Sequence, residues 1–311
     1  MITKISSKAV NQPLSLIINL LKLTYEKVRD CKSEICVVCA LLNVMNTSHT
    51  FGGYMKQTLI FILTLFYSIA SIAEDAQLAA IFDRYETEGT ILISSIGGEK
   101  EFIYNESRAG QRFAVASTFK ILNSLIALEE KIVLKKESII KWDGTEYGIR
   151  SWNGDQTLAS AYKVSCVWCY QRIAERIGAE KYRFYIDALG YGQISEVFNE
   201  TTFWLDGSLK NSANEQVDFL KEVYRRSLPF SLSSYETLKD IMTEEESSLY
   251  VIRAKTGWAK RVEPQVGWYV GYIETKNDTW FFATNITINS IADLSLRKKI
   301  TLEALRTKGI I

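Results

Sequence analysis

Apolar and polar positions fall into two patterns along the chain, and their order predicts the architecture. Residues 89–95 and 101–104 are β-rich runs on either side of a Gly97-Gly98 turn. From 117 to about 245 the pattern is mostly helical, with predicted helices over 117–130, 158–177, 179–189, 213–226 and 233–244. Strands return over 249–255, 267–274 and 280–288, and Lys276-Asn277-Asp278 turns the last pair. Residues 293–308 read as a closing amphipathic helix. Strands from both chain ends then share one antiparallel sheet flanked by helices, with an inserted helical lobe. That is an α+β fold, built as one discontinuous region rather than two sequential domains.

One apolar run fits neither pattern. Met55-Lys56-Gln57-Thr58 gives a short positive start, residues 59–70 are almost wholly apolar, and Ser71 and Ala73 place small residues at −3 and −1. This is the layout of a secretory signal, too short to span a bilayer comfortably. No stable membrane span is expected once it is removed. A signal belongs at a chain start, so translation is expected to begin at Met55. Residues 1–54 then form an over-extended prefix, 55–73 the signal, and 74–311 the exported domain. Cys31, Cys36, Cys39 and His49 in the prefix fit no zinc spacing, and no metal is expected.

Charge narrows the partners. The chain has 37 basic and 36 acidic residues. Residues 1–73 hold 7 and 3 of these, which leaves 30 basic against 33 acidic beyond them. No lysine or arginine run stands out, so no nucleic-acid partner is expected. Apolar residues make up 47% of the chain, enough for a real core. Oligomeric state is not readable.

Histidine is nearly missing, and this directs the chemistry. The one histidine, His49, precedes the signal, so the exported product would have none. A Ser-His-Asp triad is then impossible, and an active serine needs another base. Ser117-Thr118-Phe119-Lys120 supplies one, because residues three apart share a helix face and Lys120 can reach Ser117. Apolar residues 113–116 and 121–128 surround the motif and predict a buried lysine. Further along come Ser165-Cys166-Val167, then Phe203-Trp204-Leu205, then Lys255-Thr256-Gly257-Trp258 at a strand end. Glycine there would let a ligand lie against the backbone.

Each motif alone is weak, but the ordered set is specific. The chain resembles the serine β-lactamase and penicillin-binding superfamily, and within it the class D β-lactamases, over roughly residues 80–311. Residues 152–158, Phe203-Trp204-Leu205 and residues 294–300 carry the resemblance as well. One signature departs, since the family's Tyr-Gly-Asn reads Tyr191-Gly192-Gln193. The resemblance implies a serine β-lactamase/D,D-peptidase-like fold and a β-lactam substrate that acylates Ser117. It implies Lys120 as base, modified by carbon dioxide to a carbamate (N6-carboxylysine), with no other cofactor. Trp204 would donate to that carbamate, and Ser165 would relay a proton to the leaving nitrogen. Lys255, Thr256 and Arg297 would hold the substrate carboxylate. Gly257 would let the substrate lie close, and the backbone N–H groups of Ser117 and Trp258 would form an oxyanion hole. Val167 and Leu205 would line the site. A non-hydrolysing penicillin sensor and a cell-wall D,D-peptidase are the alternatives.

Each residue also has a plainer reading. Lys120 would be a snorkelling surface lysine, Trp204, Val167 and Leu205 core, Ser165 a helix N-cap, and Arg297 one of a run of surface cations. Cys166 and Cys169 form a C-x-x-C without the strand and βαβ setting of a thioredoxin site, which leaves packing, with or without a disulfide.

Overall fold

A computed structural model describes residues 75–311. The expected prefix and signal lie outside these residues. The chain opens with helix α1 (Ala76–Arg84), capped by Asp75, whose carboxylate accepts from the backbone of Gln77 and Leu78. Strands β1 (Gly89–Ser95) and β2 (Glu101–Tyr104) follow, then a short helix α2 (Glu106–Ala109) and the two-residue strand β3 (Phe113–Ala114). A 3₁₀ turn, Ala116–Phe119, leads into α3 (Lys120–Glu129). The lobe continues with β4 (Ile139–Ile140), β5 (Gln156–Thr157), α4 (Leu158–Lys163), α5 (Val167–Ile177) and α6 (Ala179–Ala188). Strands β6 (Gln193–Ile194) and β7 (Leu209–Asn211) precede α7 (Ala213–Arg225) and α8 (Leu232–Met242). The chain closes with β8 (Thr243–Glu246), β9 (Tyr250–Ala259), β10 (Val266–Thr275), β11 (Thr279–Thr287) and α9 (Leu296–Thr307).

The main sheet has six strands in the order β2-β1-β11-β10-β9-β8, and every pairing is antiparallel. Gly89 faces Ile286 and Ser95 faces Trp280, so the two chain ends meet in the middle of the sheet as the sequence predicts. Both faces of this sheet are covered. On one, Leu78, Phe82, Ile300 and Leu305 from α1 and α9 pack with Ile91, Ile252 and Ile286. On the other, Leu92, Val270 and Phe281 join the core of the helical lobe. Double coverage is why β1, β10 and β11 read as continuous apolar runs rather than alternating ones.

Three predicted elements need correction. The helix expected over 158–177 is two helices, α4 and α5, broken at 164–166, where Ser165 takes a left-handed φ of 54°. The N-cap of α5 is Cys166, not Ser165, and Cys166 is joined to Cys169 by a disulfide with Cα atoms 5.5 Å apart. The helix expected over 233–244 ends at Met242, and the chain goes straight into β8, an acidic edge strand paired with β9. The closing helix starts at Leu296, after a 3₁₀ turn capped by a Ser290–Asp293 box. No described helix is long and apolar enough to cross a membrane.

Candidate active site

Ser117 lies in the 3₁₀ turn between β3 and α3. Ala116 before it takes φ 48°, a conformation that costs a non-glycine residue energy and persists only where neighbours enforce it. Thr118 is one such neighbour, since its hydroxyl donates to the Val115 carbonyl at 2.7 Å. The turn aims Lys120 back at Ser117, and the amine donates to the serine hydroxyl at 3.2 Å. Lys120 is 1% exposed, so it is no snorkelling surface lysine. Burial, and then the charge of Lys255, hold its pKa well below the usual lysine value. Its nitrogen sits 4.7 Å from the centre of the Tyr170 ring. That contact favours the cation, but desolvation is the larger effect.

A second serine–lysine pair faces the first. Lys255 on β9 donates to the Ser165 hydroxyl and to the Thr256 carbonyl. Burial, followed by the nearby Arg297, pushes the Lys255 pKa down to about 7, and Glu244 pulls it weakly upward. The left-handed turn at Ser165 separates α4 from α5 and presents this hydroxyl. The backbone N–H groups of Ser165 and Cys166 hold the turn by donating to Tyr162 and Ala161.

Two glycines bring the sheet to these pairs. A Cβ on Gly257 would stand 3.2 Å from Thr118 Cγ2 and from the Val115 oxygen, so strand β9 lies directly against the serine turn. A Cβ on Gly267 would stand 2.7 Å from Arg297 Cδ, so β10 leaves room for that side chain to reach over it. Arg297 donates to the carbonyls of Leu294 and Gly257, and burial pushes its pKa down to about 10. This is not a surface cation. Arginine has five N–H donors, so most of the guanidinium remains for an anion. Arg297, and Lys255 when protonated, thus bring positive charge to a site that favours an anionic ligand.

The apolar side is built by the lobe. Trp204 is fully buried and stacks on Phe119 at 5.9 Å, and its indole N–H has no partner among the described residues. A buried donor without an acceptor is costly and rare. Leu205 is buried and Val167 half-buried, both packed in the lobe core. Thr256 and Trp258 are half-buried along β9. The Trp258 indole donates to Gln265 at 3.1 Å. Gln193, where the family signature departs, is exposed on β6. The change therefore alters an outward-facing strand residue.

Sequence reasoning missed several supports. Tyr170 lies under Lys120, and Tyr162 lies 5.5 Å from Lys255. Ser124 ties Tyr170 to the backbone of Lys120. Gln216 on α7 donates to the Thr118 hydroxyl. Nothing in their local sequence marks these residues, because each acts through a contact that only the folded lobe creates.

Comparison with known proteins shows what this arrangement resembles. A family model described as the penicillin binding protein transpeptidase domain matches residues 83–306. β-Lactamase OXA-48 of Klebsiella pneumoniae is 39% identical over 238 residues, which cover 76% of this chain and 90% of that protein. Regulatory protein BlaR1 of Bacillus licheniformis is 38% identical over 234 residues, which cover 75% of this chain but 39% of that protein. Among solved structures, the class D β-lactamase FUS-1 (OXA-85) of Fusobacterium nucleatum subsp. polymorphum superposes with a TM-score of 0.74 at 35% identity. That match covers 76% of this chain and 99% of the other.

Proposed function

The chain belongs to the class D β-lactamases, within the penicillin-binding transpeptidase-domain family, and on that premise we propose that it hydrolyses β-lactam antibiotics through an acyl-enzyme on Ser117. The observation that carries the proposal is the buried Ser117–Lys120 pair, in which burial holds the lysine pKa well below its usual value and so favours the neutral amine that can act on the hydroxyl. Lys255, Thr256 and Arg297 hold the carboxylate of the substrate, and arginine suits this through its forked donors. Gly257 lets the ring lie against β9, while the backbone N–H groups of Ser117 and Trp258 receive the carbonyl oxygen as it gains charge. Such donors are worth roughly 3–4 kcal/mol each in acyl transfer. Ser165, bonded to Lys255, passes a proton to the leaving nitrogen. Val167 and Leu205 form apolar walls.

A carbamate on Lys120 fits the residues present. Its formation from carbon dioxide requires a neutral amine, and burial favours that form. The orphaned Trp204 indole offers the donor that such a group would need. When bound, the carbamate supplies a carboxylate-like base for acylation and for the water of deacylation. Turnover is expected to fall in acidic, carbon-dioxide-free buffer and to recover with bicarbonate. Trp204→Phe is expected to sharpen that dependence. Full turnover that ignores bicarbonate would exclude the carbamate.

The 38% identity to BlaR1 favours one other reading, a sensor that is acylated but does not turn over. Intact-mass measurement decides between them. The hydrolase shows an adduct on Ser117 that decays with bicarbonate, and the sensor shows one that persists. An adduct formed equally by Ser117→Ala overturns both.

Export and protection of the producing cell complete the proposal. A disulfide at Cys166–Cys169 supports an oxidising compartment. N-terminal sequencing of the exported product is expected to begin near Glu74, and a product that retains residues 1–54 would refute it.

A further inference from the structure

The serine turn rests on a buried polar cluster that the proposed chemistry does not use. The Thr118 hydroxyl spends its proton on the Val115 carbonyl and accepts from Gln216 Nε2 at 2.9 Å. Gln216 is fully buried, and its Oε1 has no partner among the described residues. Asn211 closes β7 opposite Phe113 of β3, is also fully buried, and has neither Oδ1 nor Nδ2 partnered among the described residues. The Tyr191 hydroxyl is buried and faces the side chains of Thr118, Gln216 and Asn211 without reaching direct hydrogen-bond geometry. Three residues, from α7, from β7 and from the loop between α6 and β6, therefore turn polar atoms with unspent hydrogen bonds toward one point behind Ser117.

We infer that Gln216 is a positioning residue for Ser117, and that Gln216, Tyr191 and Asn211 enclose one internal water that locks it. The atoms match a water's needs. Asn211 offers both a donor and an acceptor, Gln216 an acceptor, and Tyr191 either, and a buried water makes about three hydrogen bonds. With its Oε1 held by that water, Gln216 keeps Nε2 on Thr118. The Gln216 bond occupies the Thr118 oxygen, so the hydroxyl proton points to Val115. That bond closes the loop around Ala116, whose φ of 48° has to be enforced from outside. Released, the turn would relax and carry Ser117 away from Lys120. None of the three residues touches substrate. They act through Thr118.

The inference rests on Ser117 being the nucleophile, and its test separates the two claims. Acylation by a chromogenic cephalosporin is followed under single-turnover conditions, and rates are expressed per active site titrated with a slow β-lactam. Misfolded molecules then drop out of the rate. Gln216→Met is expected to slow acylation about tenfold, as loss of one ordinary hydrogen bond would. Substrate affinity should stay within about twofold, because the carboxylate clamp is untouched. Thr118→Val should do the same, Thr118→Ser should restore the rate, and the Thr118→Val/Gln216→Met double variant should be no slower than the worse single one. Equal rates per site, or additive losses in the double variant, would overturn the inference. Where Gln216→Met fails to fold, Tyr191→Phe replaces it, with slower acylation expected and an unchanged rate overturning the claim. A crystal structure is expected to show a water bonded to Asn211, Gln216 and Tyr191, and direct bonds among those side chains would refute it. If the wild-type protein forms no adduct, the proposed function fails instead. The crystal structure still decides the internal water and the Thr118–Gln216 bond.

Discussion

Lys255 is buried, and its burial is measurable without any substrate. Its folded pKa of about 7 lies below the ordinary lysine value near 10.5. Between these values the unfolded chain binds a proton that the folded chain does not, so stability rises with pH across that window. Below about 7 both states are protonated and the dependence ends. Urea denaturation from pH 7 to 9 should show wild-type stability climbing relative to Lys255→Met by up to about 1.4 kcal/mol per pH unit. A constant difference over that range would mean that Lys255 stays charged in the fold. At this scale the sequence was informative where chemistry is local. Ser117 and Lys120 share a short motif, and their apolar neighbours foretold the burial. The orphaned Trp204 indole, the ring of Tyr170 under Lys120 and the Gln216 bond to Thr118 were not legible. Each depends on partners brought from elsewhere in the chain.

Elements place these residues, and their ends matter more than their middles. Strand β9 meets the serine turn because Gly257 has no side chain there. Gly257→Ala would push Thr118 Cγ2, the Val115 carbonyl and Trp268 Cβ, all within 3.2–3.3 Å of the new methyl. Overpacking of this kind typically costs about 1–3 kcal/mol. Here it would also part the turn from the strand. Both the melting temperature and kcat/KM are expected to fall, and an unchanged kcat/KM would show that β9 need not touch the turn. Periodicity found most helices and the late strands. It missed the break at Ser165 because residues 164–166 contain neither glycine nor proline. The turn is instead imposed by tertiary contacts and leads into the disulfide-bridged start of α5. It also missed β8, whose Thr243–Glu246 sequence is a poor strand former that pairs because β9 offers an open edge. Its glutamates in turn discourage further pairing at that edge.

The molecule as a whole divides the proposed site between a lobe and a sheet. Ser117, Lys120, Ser165 and Trp204 come from the lobe side, whereas Lys255, Thr256, Gly257 and Arg297 come from β9 and α9. The α+β architecture was legible because β-rich runs stood at both chain ends with helices between them. The small sheets β3-β7-β6 and β4-β5 were not, since two- and three-residue strands carry no period of their own. Because β1 pairs with β11, the closing strands must return to the opening ones before the sheet is whole. Such long-range pairing is expected to slow folding.

That same pairing makes the protein divisible into a reporter. A cut in the exposed stretch 226–227, between α7 and α8, would leave Ser117 and Lys120 on one fragment and Lys255 and Arg297 on the other. Neither fragment alone would open a β-lactam. The seven matched positions between β1 and β11 give the halves a shared seam. Fused to two partners that bind each other, the fragments are expected to recover chromogenic cephalosporin turnover only when the partners associate. Activity from either fragment by itself would show that the site is not divided in this way.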